Sequence, residues 1–184
     1  MTWRLIVIEG VDAVWKTTLA KGLAQSLDGI YYKTPGTRTP EQRKIYDRVW
    51  IPVVERFMFY LEACREDITR IKDIQSNWKD VVCDRLLAST ILHQQAMDES
   101  LDVIDAEVLD RELSKTQILL IANREVIIQR LRWRDYVTQF ENDSELFEKT
   151  QQKFIHRGYD LCISTTQYGI EQTLQIARSF LNKD

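Results

Sequence analysis

A chain of 184 residues fits one domain with a sizeable core and leaves little room for a second. Its 44% hydrophobic and 29% charged residues are those of an ordinary water-soluble globular protein, and no apolar run approaches the roughly 20 residues of a membrane span. A net charge of −3 gives no reason to expect a nucleic-acid surface, while the local basic cluster RLRWRD is able to bind phosphate, so a small anionic ligand is the more economical reading. The N-terminus reaches an apolar strand within a few residues and shows no secretory signal, so the cytoplasm is the expected compartment.

Elements alternate along the chain. Short apolar or β-branched runs predict strands at Arg4 to Ile8, Gly29 to Lys33, Asp80 to Cys83, Thr116 to Ala122 and Leu161 to Ser164. Between them lie helical spacings: Val53, Phe57, Leu61, Cys64, Ile68 and Ile71 in one long segment, and Ile170, Leu174, Ala177 and Leu181 in the last. Strands apolar on consecutive residues, joined through helices, predict a five-stranded parallel α/β sheet covered on both faces. The long segment Pro52 to Trp78 also carries Val54, Met58 and Ile74, so its apolar surface exceeds one stripe. It reads either as a deeply buried helix or as one shared between the core and a subunit interface. Cys64, Cys83 and Cys162 are far apart in sequence and two lie in apolar runs, which predicts buried free thiols rather than disulfides or a zinc site. Arg130 to Asp143 is the most charge-dense connection and is expected to form a lid within the single domain 1–184.

The stretch from Ile6 to Ala24, IVIEGVDAVWKTTLAKGLA, nearly spells a phosphate-binding loop. Gly10, Lys16 and Thr17 are in register, but Trp15 stands where the second glycine belongs. The loop follows a strand and precedes a helix, as its chemistry requires. Backbone N–H groups at the helix N-terminus hold phosphate oxygens, the lysine neutralises β/γ charge and the hydroxyl ligates Mg²⁺. An indole at position 15 must either swing outward, straining the loop, or occupy the phosphate site. Strained torsions cost roughly 1 to 3 kcal/mol, which predicts ATP binding weakened by about one to two orders of magnitude.

This opening resembles the first motif of the thymidylate kinases, Glu-Gly-x-Asp-Gly-x-Gly-Lys-Ser/Thr-Thr. Further stretches resemble that family in the same order: KTPGTRTPEQRKIYD from Lys33, FYLEACRED from Phe59, VVCDRLLASTILHQ from Val81, LLIANREVIIQRLRWRD from Leu119 and FEKTQQKFIHRGYDL from Phe147. The ordered set covers nearly the whole chain. It implies a P-loop NTPase three-layer αβα fold with a short lid, and transfer of the ATP γ-phosphoryl group to a deoxynucleoside monophosphate, with dTMP as the expected acceptor. ATP and Mg²⁺ are the implied cofactors and a homodimer the implied assembly.

On that resemblance, Gly10, Ala13, Lys16, Thr17 and Thr18 contact ATP, while Thr17 and Asp84 organise Mg²⁺. Asp12 faces the acceptor's 3′-hydroxyl, Lys33 replaces an acceptor-phosphate arginine, and Arg65 and Arg85 supply the remaining acceptor contacts above Pro35 and Gly36. Leu61 falls where the family stacks a phenylalanine on the base, with Tyr60 and Phe57 nearby. His93 replaces an aromatic, and Ser89 and Thr90 lie beside the base. Phosphoryl transfer joins two polyanions, so cations must converge on the moving group. Lys16 and Arg85 are two. The family also uses an arginine in either the loop or the lid. The loop carries Ala13 and Val14, so Arg132 or Arg134 of the lid is expected to supply it. Leu61, His93 and Lys33 leave open a kinase for another nucleotide or nucleoside. Trp15 leaves open a nucleotide-binding protein that has lost efficient catalysis.

Overall fold

The computed structural model describes residues 3–48, 50–77, 79–132 and 143–182. Five parallel strands form one sheet: β1 Leu5–Glu9, β2 Ile30–Lys33, β3 Val81–Asp84, β4 Thr116–Ile121 and β5 Leu161–Ser164, in the order β2-β3-β1-β4-β5. The strands lie within about a residue of the spans predicted from their apolar runs. β1 and β3 are buried at every residue, as central parallel strands must be. β2, an edge strand, is exposed or half-buried along its length although α1 packs against it.

Among the described residues the helices are α1 Lys16–Ser26, α2 Pro40–Tyr46, α3 Val53–Ser76, α4 Leu87–Met97, α5 Ile104–Glu112, α6 Arg124–Leu131, α7 Ser144–Arg157 and α8 Ile170–Leu181. Helices α1 and α8 pack together, and α3, α4 and α7 form a second packed group, giving helix, sheet and helix layers. Leu19, Ala20, Leu23 and Ala24 of α1 and Phe57, Leu61, Cys64, Ile68 and Ile71 of α3 turn their helical stripes into the core. α3 leaves Val54 and Met58 on its outer side, 55% and 51% exposed. Cys64 and Cys83 are buried free thiols as expected, whereas Cys162, on the edge strand β5, is exposed and not buried. No helix among the described residues is long and apolar enough to cross a membrane.

Register decides where chemistry can gather. Lys33 pairs with Asp84, and Asp84 with Ile8, so the C-terminal ends of β2, β3 and β1 finish level. The chain leaves that edge from all three strands, through Thr34, Arg85 and Gly10. Loops carrying charge therefore collect at the carboxyl ends of the strands, the usual ligand edge of an open parallel sheet.

Candidate active site

The loop after β1 turns because Gly10 adopts φ 136°. A Cβ there would stand 2.3 Å from the Leu120 carbonyl oxygen, so the first glycine of the motif is a steric requirement of the neighbouring strand. The chain then passes through Ala13 at φ 61° and Trp15 at φ 67° before α1 begins. Trp15 is the N-cap of α1, and no side chain caps that terminus. The first turn also carries no acidic residue. Its N–H groups and dipole are thus available to an anion.

The second glycine position keeps its left-handed torsion although a tryptophan occupies it. The indole is half-buried and lines the cavity described below. It stacks under the Arg130 guanidinium, whose carbon lies 3.6 Å from the ring centroid. A left-handed torsion costs an L-residue about 1 to 2 kcal/mol, and a partly desolvated cation–π contact returns about 0.5 to 2 kcal/mol. The two are matched in size. Trp15→Gly, which loses both, is therefore expected to leave unfolding free energy within about 1 kcal/mol of the parent. Trp15→Ala, which keeps the torsion and loses the stack, is expected to destabilise by about 1 to 2 kcal/mol. Urea unfolding of the three proteins checks the order, and an alanine variant as stable as the parent would remove the compensation.

A cavity of about 540 Å³ opens at this edge, lined by Asp12, Ala13, Trp15, Lys16, Thr17, Thr18, Lys33, Asp84, Arg85 and Arg130. Three of the four non-glycine residues with positive φ among the described residues, Ala13, Trp15 and Arg85, line it, so backbone strain is concentrated where chemistry is expected.

Lys16 is buried, with its ammonium donating to the Val11 carbonyl and 3.7 Å from Asp12. Burial first, and the Arg85 charge second, push its pKa down to about 7. Arg85 spans three partners: Gly10 carbonyl at 3.1 Å, Ser89 Oγ at 3.0 Å and Asp12 Oδ1 at 2.5 Å. Burial works to lower its pKa, but Asp12, Glu9 and Asp84 outweigh that and raise it. Thr17 Oγ1 donates to Asp84 Oδ2 at 2.5 Å, and Tyr31 reaches the same oxygen at 3.3 Å. This hydroxyl and carboxylate form a hard-oxygen pair of the kind that holds Mg²⁺ together with phosphate oxygens and water. Among the described residues no cluster of three His, Cys, Asp or Glu provides an all-protein metal cage.

Several residues expected at the base do other work here or stand apart from the cavity lining. Leu61 is 3% exposed within the apolar core. Tyr60 gives its hydroxyl to Asp47 at 2.6 Å. Ser89 donates to Glu9 Oε2 at 2.5 Å while receiving Arg85, and Thr90 meets Cys64 Sγ at 3.4 Å. His93 is bonded through Nδ1 to the Ser89 carbonyl at 2.8 Å and edges against Phe154. Burial, then the Arg85 charge, lower its pKa to about 4. Arg65 is exposed, and Pro35 precedes Gly36, whose N–H donates to buried Asp67 at 2.9 Å. Arg132 is exposed at the C-cap of α6 and is not among the cavity residues. Arg134 and most of segment 130–143 lie outside the described residues.

Three contributors escaped the sequence reading. Arg130, in the last turn of α6, donates to the Ala13 carbonyl of the loop. Glu9 is a fully buried carboxylate that accepts from the Leu86 N–H at 2.8 Å as well as from Ser89, and so fixes the turn bearing Arg85. Burial raises its pKa, against the lowering pull of Ser89 and Arg85. Tyr31 braces Asp84 from the edge strand. Glu9 had two signals in the sequence, a charged residue ending a buried strand and the glutamate that opens the family's first motif.

The family model described as thymidylate kinase matches residues 8–175. A probable thymidylate kinase of Methanococcus aeolicus is 29% identical over 157 residues, covering 83% of this chain and 78% of that protein. One from Methanocaldococcus jannaschii is 27% identical over 174 residues, covering 91% and 89%. Among solved structures, thymidylate kinase from Candida albicans superposes with a TM-score of 0.80 at 19% identity, over 99% of this chain and 92% of that one. Deoxyadenosine kinase from M. mycoides with bound dATP gives 0.71 at 17% identity, over 97% and 99%. At these identities the structural matches speak for the fold.

Proposed function

The chain belongs to the thymidylate kinase family, and from that premise we propose that its cavity transfers the γ-phosphoryl group of ATP to dTMP, giving ADP and dTDP. The convergence of Lys16 and Arg85 on one cavity at the uncapped N-terminus of α1 carries the reading. Two polyanions meet only where fixed positive charge offsets their repulsion, and a dry site makes that charge more effective than water does.

The loop and the first turn of α1 receive the β- and γ-phosphates, with Lys16 leaving the Val11 carbonyl for the phosphate oxygens. Arg85, preset by Gly10, Ser89 and Asp12, faces the acceptor phosphate, with Lys33 and Arg65 as further acceptor contacts. Asp12 aligns Arg85 and faces the acceptor sugar. Thr17 and Asp84 would hold Mg²⁺, which would offset phosphate charge. Because attack and departure need an in-line arrangement, the protein's contribution is position and charge rather than a covalent intermediate.

A panel of nucleoside monophosphates and nucleosides, assayed with ATP and Mg²⁺ by coupled ADP release, tests the reading. dTMP is expected to give the highest kcat/KM. Turnover of nucleosides alone, or of no acceptor at all, would overturn it.

The assembly is a homodimer joined through α3. Val54 and Met58 are exposed one turn apart on a helix whose other side is core, and a two-fold pairing covers such a surface twice. Light scattering at micromolar concentration is expected to give about twice the 21.8 kDa of one chain. A Met58→Glu variant should shift the mass toward the monomer, and a parent protein that is monomeric throughout would refute the pairing.

A further inference from the structure

Arg130 belongs to none of the groups that carry the transfer itself, yet three hydrogen bonds and a ring contact hold it at the cavity. Its guanidinium donates to Thr165 Oγ1 at 2.9 Å and to the Thr165 carbonyl at 2.7 Å. Thr165 is 2% exposed and is itself tied to the end of β4, its N–H donating to the Ile121 carbonyl at 2.8 Å. From that anchor Arg130 extends one N–H to the Ala13 carbonyl at 3.0 Å and lays its plane on the Trp15 ring. It therefore grips the phosphate loop at both of its left-handed non-glycine residues.

We propose that Arg130 is a positioning residue: it clasps the strained loop to the β5 end of the sheet and holds the Trp15 indole against its own face, out of the space that the nucleotide's phosphates take. Sterics give the reason. A Cβ-bearing residue at the second glycine position starts its side chain beside the phosphate site, and a wide flat ring has two resting places, over the loop or in it. A guanidinium plane fixed by two bonds to a buried threonine selects the first. The torsional cost is already present in the free chain, so it does not recur when a nucleotide binds. The gain in ATP affinity from Trp15→Gly is then a few-fold, below the one to two orders of magnitude expected from strain relieved on binding.

The nucleotide consequence rests on the ATP reading above, whereas the clasp is visible without nucleotide, and the two are tested separately. In the free protein, 5-fluorotryptophan labels all five tryptophans, and the Trp15 ¹⁹F resonance is identified by its loss in Trp15→Phe. Arg130→Ala is expected to move and broaden that resonance selectively, and Arg130→Lys, which keeps the charge without the plane, to do so less. An unmoved Trp15 resonance in both variants overturns the clasp, and the lysine variant serves where the alanine variant does not fold.

In the second arm, MgATP binding is measured by calorimetry across the cycle of parent, Arg130→Ala, Trp15→Gly and the double variant. Arg130→Ala is expected to weaken binding about tenfold when Trp15 is present and less than about twofold when Gly stands at 15, the non-additivity of residues in contact. Equal losses in both backgrounds would make Arg130 a direct nucleotide contact and overturn the proposal. A shifted ¹⁹F resonance with no MgATP binding by any of the four proteins would support the clasp and refute the nucleotide reading instead.

Discussion

Lys16→Met lowers phosphoryl-transfer turnover by about two to three orders of magnitude, the loss that follows removal of a preorganised charge from a dry site, while the folded protein becomes more stable. Both effects have one cause. The ammonium is buried with its pKa lowered to about 7, chiefly by burial and next by Arg85, whereas an unfolded chain leaves a lysine near ~10.4. Between those values the unfolded chain binds more protons, so the parent's stability rises with pH across that window. Below about pH 7 both states hold the proton and the penalty for burying charge is fully present. Methionine has the length of the lysine stem and no charge. Its advantage is expected to be on the order of a few kcal/mol below pH 7 and to shrink as pH approaches 10. Urea midpoints from pH 6 to 10, beside steady-state kinetics, read both quantities. A Met variant with parental turnover would remove Lys16 from the transfer, and one less stable than the parent at pH 6 would contradict the burial argument.

Arg85→Ala is expected to lower kcat/KM for the acceptor by about three orders of magnitude, with a smaller change in ATP affinity. The side chain holds three partners from a backbone torsion of φ 71°, unfavourable for an L-residue. Such strain is retained only where the surroundings fix it, and here Glu9 fixes the next N–H, that of Leu86. Arg85→Lys restores the charge but cannot span Gly10, Ser89 and Asp12 at once, so it is expected to recover only part of the loss. Initial rates at varied acceptor and saturating ATP measure this. If ATP affinity falls as far as acceptor kcat/KM, Arg85 serves the donor side and its assigned place is wrong. Asp12→Asn offers an independent check on the alignment, since it leaves Arg85 in place while weakening its shortest contact.

The phosphate loop was legible because its geometry is local. Gly10, Lys16 and Thr17 lie within one turn and the start of one helix, and Asp84 with Arg85 ends a strand whose apolar run is visible. Parallel pairing of β1 with β3 then brings the two stretches together, and alternation of strand and helix predicted parallel pairing without saying which strands were neighbours. The helical stripe of α3 was equally plain, yet its depth was not. Leu61 has the spacing of a residue facing the next element, and packing sets it 3% exposed within the apolar core.

Polar side chains meet the same limit. Ser89 and Thr90 looked available to a base because a sequence shows which groups can bond and not which bonds are already made. Glu9 takes the first and Cys64 meets the second. The arginine at the loop is the clearest case. Arg130, Arg132 and Arg134 are equivalent as text, but two positions along a helix rotate a side chain by about 200°. Arg130 therefore reaches Ala13, 117 residues away in sequence, while Arg132 stands exposed. The sequence by itself determined the strands, the phosphate loop and the charges the chemistry needs, since each follows from short-range periodicity or spacing. Only the tertiary structure brought Arg130 to the loop and set the Trp15 ring against it, because both depend on the angle at which α6 and the β5 end approach a turn made at the other end of the fold.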